Sequence, residues 1–200
     1  MPDALKVVIR AWALVIGLAL LAACGREGVT YSGIDVTGSS FGKDFRLSDP
    51  DGRERTLANF RGEYVMLFFG FTQCPDVCPT ALARAAQVRK RLGADGDRLQ
   101  VIFVTVDPER DTAAVLRQYT AAFDPSFLGL RTDLQGTRKV ADEFRVFYEK
   151  VATGGSYTID HSAFTYVFDA QGKLRLMLRQ DETAEQYVSD LRILMKSVSS

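Results

Sequence analysis

The chain has 200 residues, of which 46% are hydrophobic and 25% are charged, so one domain with an ordinary apolar core is expected. Its 25 basic residues balance 25 acidic ones, and no long run of one charge occurs. This balance argues against nucleic acid as a partner, because nucleic-acid binding depends on clustered lysine and arginine.

The N-terminal segment predicts export and a lipid anchor. Lys6 and Arg10 precede an apolar run, residues 11–23, which is shorter than the roughly 20 residues of a membrane-spanning helix. Such a run is typical of a signal peptide, and its closing LAAC resembles the lipobox of bacterial lipoproteins. We therefore predict a signal peptide over residues 1–23 and lipidation at Cys24; an uncleaved N-terminal anchor is the alternative.

Both alternatives, lipidation at Cys24 and an uncleaved N-terminal anchor, attach the domain to the cell membrane on the side that faces the periplasm. We predict the lipid-anchored form. Residues 24–40 are rich in glycine, serine and threonine and predict a flexible tether. Residues 41–200 then form the folded domain, which we expect to be monomeric. Since Cys24 is predicted to carry lipid, two cysteines remain, in a compartment that permits disulfides.

The folded domain alternates strands and helices. The turn signal Asp-Pro-Asp-Gly predicts an N-terminal β-hairpin. Continuous apolar runs predict two buried strands, and apolar residues at helical spacing predict four helices. The predicted elements are, in chain order, a hairpin (45–57), a strand (64–71), a helix (81–92), a strand (99–107), two helices (112–123 and 137–147), a hairpin (165–179) and a final helix (184–198).

This order predicts an α/β domain of thioredoxin-like fold, with a central mixed sheet flanked by helices. In such folds functional groups gather where strands end and helices begin. Cys74 and Cys78 lie at such a junction, directly after the first buried strand. The N-terminus of the following helix favours thiolate over thiol, and residues four apart on a helical turn place their side chains on one face.

The cysteine pair allows three interpretations. A disulfide staple would close a loop too short to stabilise the fold much. A redox dithiol would resemble the CxxC site of oxidoreductases, with one more intervening residue. A metal site needs a third ligand, and the chain's only histidine, His161, follows a predicted irregular loop over 149–160 and directly precedes a strand. Oxidoreductases of this fold place a cis-proline there, but no proline follows Pro125.

Two thiolates and one imidazole form a three-coordinate set for a soft metal. Copper, zinc and iron–sulfur clusters all accept sulfur ligands. Iron–sulfur clusters usually need four cysteines, and a structural zinc site needs four protein ligands. Catalytic zinc can use two cysteines and one histidine with water, but copper binds such ligands more tightly. The residues therefore favour copper, as Cu(I) or Cu(II).

Three separated motifs resemble the SCO/SenC family of exported copper proteins, which help to assemble cytochrome c oxidase. These motifs are CPDVCP at 74–79, DPERDT at 107–112 and the dipeptide Asp160-His161, and the correspondence covers effectively the whole domain. Gln73 stands where many relatives have histidine. This departure leaves the three matched ligand positions untouched.

The resemblance implies copper ligation by Cys74, Cys78 and His161 and delivery of the metal to the dinuclear copper centre of cytochrome c oxidase subunit II, or to another copper acceptor. It also implies that the two cysteines act as a redox-active dithiol that keeps the recipient's cysteines reduced. Asp107 is implied as a nearby carboxylate that tunes the site or contacts a partner.

We therefore predict a metal carrier rather than a dedicated enzyme. Two enzymatic alternatives use the same residues. In a thiol–disulfide oxidoreductase, Cys74 would attack the substrate disulfide and Cys78 would resolve the mixed disulfide. In a peroxiredoxin-like peroxidase, Cys74 would be the peroxidatic thiol.

Overall fold

A computed structural model describes residues 30–198, so the predicted signal peptide and Cys24 lie outside the described residues. The strands in this range are β1 (Ile34–Asp35), β2 (Leu47–Ser48), β3 (Glu54–Arg55), β4 (Tyr64–Gly70), β5 (Leu99–Thr105), β6 (Leu128–Leu130), β7 (Tyr148–Thr153), β8 (Ser156–His161), β9 (Thr165–Phe168) and β10 (Leu174–Leu178). The α-helices are α1 (Val77–Leu92), α2 (Ala113–Ala121), α3 (Leu134–Glu143) and α4 (Ala184–Val198). Short 3-10 helices cover Leu57–Phe60 and Gly93–Arg98.

The main sheet has six strands in the order β1-β10-β9-β4-β5-β6. Strands β4, β5 and β6 run parallel to one another, whereas β9 is antiparallel to β4 and β10 is antiparallel to β9. All seven residues of β4 are buried, as its continuous apolar sequence predicts for a strand covered on both faces. The predicted thioredoxin-like fold with a central mixed sheet is confirmed, and β2 and β3 form the predicted N-terminal hairpin.

Helices cover the sheet and begin at polar capping residues. Helix α1 packs against α4, and α2 packs against β6. The Thr112 side chain caps α2 by accepting the N–H of Val115. Helix α3 begins before the predicted residue 137, because the Asp133 side chain accepts the N–H of Gly136 at 2.7 Å. Among the described residues, none of the helices combines the length and apolar character needed to cross a bilayer.

The sheet begins inside the segment that the sequence assigned to the tether. Ile34 and Asp35 form the edge strand β1, which pairs with β10. Just before it, the N–H groups of Ser32 and Gly33 donate to the carboxylate of Asp190 on α4, at 2.9 and 2.8 Å. A strand of two residues has no periodicity to detect, and its hydrogen-bonding partners lie near the other end of the chain.

The prediction of an irregular loop over 149–160 is wrong, because β7 and β8 form an antiparallel hairpin there. Its turn contains Gly154 and Gly155, whose φ angles of 43° and 110° favour glycine. The side chains of β7 are exposed apart from the half-buried Tyr148. The alternation of apolar and polar residues that predicts a half-buried strand is therefore absent.

Candidate metal centre

The loop after β4 places both cysteines at the N-terminal end of α1. Cys74 precedes the helix and Cys78 lies in its first turn. The loop is anchored by Asp111, a fully buried residue whose carboxylate accepts the Thr72 hydroxyl at 2.6 Å and the Thr72 N–H at 3.1 Å. Burial raises the pKa of Asp111. The path of the chain into the first cysteine is therefore set by β4 on one side and by this carboxylate on the other.

Gly70, the last residue of β4, makes room for the second cysteine. A Cβ atom at this position would lie 2.6 Å from the Cys78 sulfur and 2.9 Å from the Phe103 ring. Distances this short are incompatible with any side chain unless its neighbours move. Glycine at this position therefore allows the buried sulfur to approach the backbone of the strand.

His161 enters the site as the last residue of β8. Its Nδ1 lies 2.9 Å from the carbonyl oxygen of Ser162, and since a carbonyl can only accept, Nδ1 carries the proton. Nε2 is then left with its lone pair, 3.5 Å from the Cys78 sulfur. The rings of Phe68 and Phe71 stand edge-on to the imidazole, with centroids 6.0 and 5.9 Å away. These contacts hold the ring in the orientation and tautomer of a metal ligand.

The three predicted ligands meet at one point. The sulfurs of Cys74 and Cys78 and a ring nitrogen of His161 lie within 4.8 Å of one another. Cys78 is buried, whereas Cys74 and His161 are partly exposed, so the site opens to solvent on one side. Two sulfurs and one imidazole form a donor set suited to a soft metal ion.

The two thiols have opposite electrostatic environments. The pKa of Cys74 is lowered to about 5, chiefly because the Cys78 thiol donates to it, with further help from backbone N–H groups at the start of α1. The Cys78 N–H contributes at 3.4 Å. The pKa of Cys78 is raised, because its proton is shared with Cys74 and its sulfur is buried. The pair therefore holds one thiolate and one thiol at neutral pH.

Asp107 lies outside this group of three. It is fully buried, and its carboxylate accepts hydrogen bonds from the Arg110 guanidinium and, at 2.8 Å, from the Tyr157 hydroxyl. Asp107 is therefore connected to the three candidate ligands through the side chains of Arg110 and Tyr157. Such a buried carboxylate is placed to support neighbouring side chains and has no surface to offer a partner.

Comparison with known proteins identifies the family. A family model described as SCO1/SenC matches residues 35–196. The chain belongs to the SCO1/SenC family. The SCO2-like protein of Rickettsia felis is 36% identical over 154 residues, which cover 76% of this chain and 75% of the relative.

Solved structures of this SCO1/SenC family resemble the chain over most of its length. Bradyrhizobium japonicum ScoI with copper bound is 38% identical and covers 78% of this chain and 99% of its own, with a TM-score of 0.71. Apo Sco1 from Thermus thermophilus is 40% identical and covers 84% of this chain and 99% of its own, with a TM-score of 0.75. These similarities agree with the thioredoxin-like fold described above.

Several residues that shape the site in this SCO1/SenC protein could not be predicted from the sequence. Gly70 gave no signal, because its role depends on how closely α1 packs on β4. The carbonyl of Ser162 is invisible in a sequence. Arg110 and Tyr157 contact each other across the site although they are far apart in the chain. The turn signal Gly154-Gly155 was the one available indication that Tyr157 lies on a strand.

Proposed function

We propose that this protein is an exported copper chaperone that binds one copper ion through Cys74, Cys78 and His161. The convergence of these three ligand atoms within 4.8 Å carries the proposal. A set of two sulfurs and one imidazole nitrogen is soft, and it is one ligand short of a closed zinc site. The copper-bound state of the related Bradyrhizobium japonicum ScoI supports the choice of metal.

Each ligand contributes differently to capture of the ion. Cys74 offers a thiolate at neutral pH, because its pKa is lowered to about 5. Cys78 gives up its proton as the metal binds, since metal ligation requires the thiolate. His161 offers Nε2, while its Nδ1–H stays bonded to the carbonyl of Ser162. The proton of Cys78 therefore leaves the site when the metal enters.

We propose the dinuclear copper centre of cytochrome c oxidase subunit II as the recipient, in line with the known role of the family. Asp76 and Val77 are exposed between the two cysteines, and Cys74 itself is partly exposed. A partner thiolate can approach a three-coordinate ion from this side and replace one ligand at a time. Lipid on Cys24 would keep the domain beside the membrane that holds its recipient.

X-ray absorption at the copper edge tests the metal site. The loaded wild-type protein is expected to show two sulfur scatterers and one imidazole. In a separate affinity measurement, His161→Ala is expected to bind copper more than about 100-fold more weakly, which exceeds the usual effect of losing an outer-sphere contact. Ser197→Ala, which removes an exposed hydroxyl on α4, serves as the control. Wild-type affinity in His161→Ala would refute the three-ligand site.

Transfer and anchoring need separate tests. Loaded protein mixed with a reduced, copper-free soluble domain of oxidase subunit II is expected to pass its copper to that domain, which the copper content of the two proteins after separation measures. Cys24→Ser is expected to release the protein from the membrane fraction without changing copper affinity. Absence of transfer would refute the recipient, and membrane retention of Cys24→Ser would refute the lipid anchor.

A thiol–disulfide oxidoreductase activity is the second candidate, favoured by the unequal thiols. Cys74 is accessible and has a low pKa, as an attacking thiol requires, while Cys78 is buried behind it, where it can resolve a mixed disulfide. His161→Ala separates the two activities. A variant that loses copper but still reduces the recipient's disulfide at the wild-type rate would show that the reductase activity does not depend on the metal.

A further inference from the structure

Arg110 lies between the two segments that carry the metal ligands, although it is not a ligand itself. It ends the turn 107–110, after β5, and its side chain is only 17% exposed. Its Nε donates to the carboxylate of Asp107, which is fully buried. Charge-assisted pairing with a buried carboxylate holds the planar guanidinium in one orientation.

One guanidinium nitrogen of Arg110 bonds to both segments. Nη1 donates to the side-chain oxygen of Gln73 at 3.0 Å, and Gln73 directly precedes the ligand Cys74. The same nitrogen donates to the backbone carbonyl of Tyr157 at 2.8 Å. Tyr157 lies on β8, the strand that ends at the ligand His161. A single side chain therefore connects the cysteine loop to the histidine strand.

The rings around Arg110 add a second connection between the same segments. The guanidinium carbon lies 3.7 Å from the centroid of the Tyr157 ring and 5.8 Å from that of Phe71. The Tyr157 hydroxyl donates to Asp107, which closes the network. Phe71, in turn, packs edge-on against His161.

The hairpin that carries His161 depends on such contacts. Strands β7 and β8 form a separate two-stranded sheet, and a two-stranded hairpin is only marginally stable by itself in water. The ion pair between Lys150 on β7 and Glu109 also ties it to the turn 107–110, but both partners are about half exposed, and exposed ion pairs contribute little. The contacts of Arg110 with Tyr157 are partly buried and include a hydrogen bond of 2.8 Å, so they are the stronger tie.

We propose that Arg110 is a positioning residue for the metal centre, which sets the distance between the loop carrying Cys74 and the strand carrying His161. This inference rests on the proposed copper site. Without the guanidinium, the hairpin would sample positions in which the imidazole is too far from the sulfurs to share an ion with them. Copper binding would then have to restore the closed arrangement at the expense of affinity.

Two substitutions test this role. Arg110→Met keeps a long apolar stem and removes every donor. Arg110→Lys keeps a positive charge beside Asp107, so it protects the fold, but its compact ammonium group cannot pair with Asp107 and also reach Gln73 and Tyr157, as the planar guanidinium does through Nε and Nη1. Arg117→Lys is the matched control, because Arg117 pairs with Asp51 in an exposed contact on α2.

Amide hydrogen exchange on the metal-free protein gives the first readout. In both Arg110 variants the amides of β8 are expected to exchange at least about tenfold faster, while those of β4 and β5 keep their wild-type rates. Competition with a Cu(I) chelator gives the second readout, an affinity about 10–100-fold lower although all three ligands are present. The Arg117→Lys control is expected to match the wild type in both measurements.

The outcomes separate this inference from the proposed function. Wild-type exchange of β8, or wild-type copper affinity, in Arg110→Lys would overturn the positioning role and leave the copper site standing. If Arg110→Met speeds amide exchange in every strand, this variant has lost global stability. The positioning role is then judged from Arg110→Lys alone. A wild-type protein without copper affinity would overturn the proposed function itself, and with it any role of Arg110 at a metal centre.

Discussion

At the scale of single residues, the two cysteines differ because the fold exposes one and buries the other. Cys74 lies before α1, where the Cys78 thiol and backbone N–H groups can donate to its sulfur, and its pKa falls to about 5. Cys78 lies within the first turn, is fully buried, and has a raised pKa. We therefore expect Cys74 to be the nucleophile of the proposed reductase activity and the first of the proposed ligands to meet an incoming ion.

Alkylation kinetics check this assignment. In the reduced, metal-free protein, the rate at which Cys74 reacts with iodoacetamide should rise with pH and then level off. The midpoint of this rise should lie at about pH 5, compared with about pH 8.5 for an ordinary cysteine. The midpoint lies below the ordinary value because a lowered pKa keeps the thiolate populated as pH falls. Cys78→Ala removes the largest stabilising donor and should move the midpoint upward, whereas Cys78→Ser, which retains an O–H donor, should move it less. A wild-type midpoint above 8 would contradict the assignment.

Gly70 provides a second test at the residue scale. Gly70→Ala should destabilise the protein by about 1–3 kcal/mol, the usual cost of overpacking, because the new Cβ would lie 2.6 Å from the Cys78 sulfur. Copper affinity should fall as well, since that sulfur must shift. Denaturant unfolding and chelator competition measure the two effects.

Gly52→Ala is the control for Gly70→Ala. Gly52 has φ of +78° and no atoms near its Cβ position, so its substitution strains the backbone by about 1–2 kcal/mol at a distance from the thiols. It should lower stability while copper affinity stays at the wild-type value. Equal losses of affinity in both variants would show that Gly70 has no specific role at the site.

At the scale of elements, the two sides of the site differ in how firmly the sheets hold them. The cysteines follow β4, a central strand that pairs with β5 and β9. His161 ends β8, which, among the strands of residues 30–198, pairs with β7 alone in a sheet of two strands. The histidine side of the site is therefore expected to open more easily than the cysteine side.

The turn of the β7–β8 hairpin tests this difference. Gly155 has φ of 110°, so Gly155→Ala should destabilise the hairpin by about 1–3 kcal/mol. Copper affinity should fall by up to about tenfold, equivalent to 1.4 kcal/mol, with little change in the melting temperature of the metal-free domain. Gly172→Ala, in the β9–β10 turn with φ of 70°, should instead lower the melting temperature and leave copper affinity unchanged. If Gly172→Ala lowered copper affinity and Gly155→Ala did not, the geometry of the site would depend on the main sheet rather than on the β7–β8 hairpin.

At the scale of the whole molecule, a bound ion would connect parts of the chain that are far apart in sequence. Most of α1, a 3-10 helix, β5, α2, β6, α3 and β7 lie between the loop carrying the cysteines and the strand carrying His161. A ligand that binds only the folded state stabilises it in proportion to the logarithm of its concentration over its Kd. Copper should therefore stabilise the whole domain.

Thermal unfolding measures this coupling. At free Cu(I) a thousandfold above Kd, the stabilisation is about 4 kcal/mol, which corresponds to a rise in melting temperature of about 8–16 °C for a domain of this size. At the same free Cu(I) concentration, His161→Ala should show a much smaller rise, because its ion would contact the cysteine loop alone. A full rise in His161→Ala would mean that the ion does not connect the two segments.

The sequence by itself was sufficient to predict the elements with a strong apolar pattern and to select the three candidate ligands. Strands β4 and β5 and helices α1 and α4 were predicted because burial of their side chains leaves continuous or periodic apolar residues. Cys74, Cys78 and His161 were predicted because cysteine and histidine are rare in this chain and have few alternative roles. These properties belong to individual residues and their near neighbours, so the sequence displays them directly.

Only the tertiary structure decided the features that depend on distant pairs. The β7–β8 hairpin has too few buried side chains to show a strand pattern, and β1 becomes a strand only because β10 offers it partners. The lowered pKa of Cys74 and the bridge from Arg110 to Tyr157 arise from atoms that meet after folding. A residue's type limits which contacts it can make, but the packing of the whole chain determines which of them form.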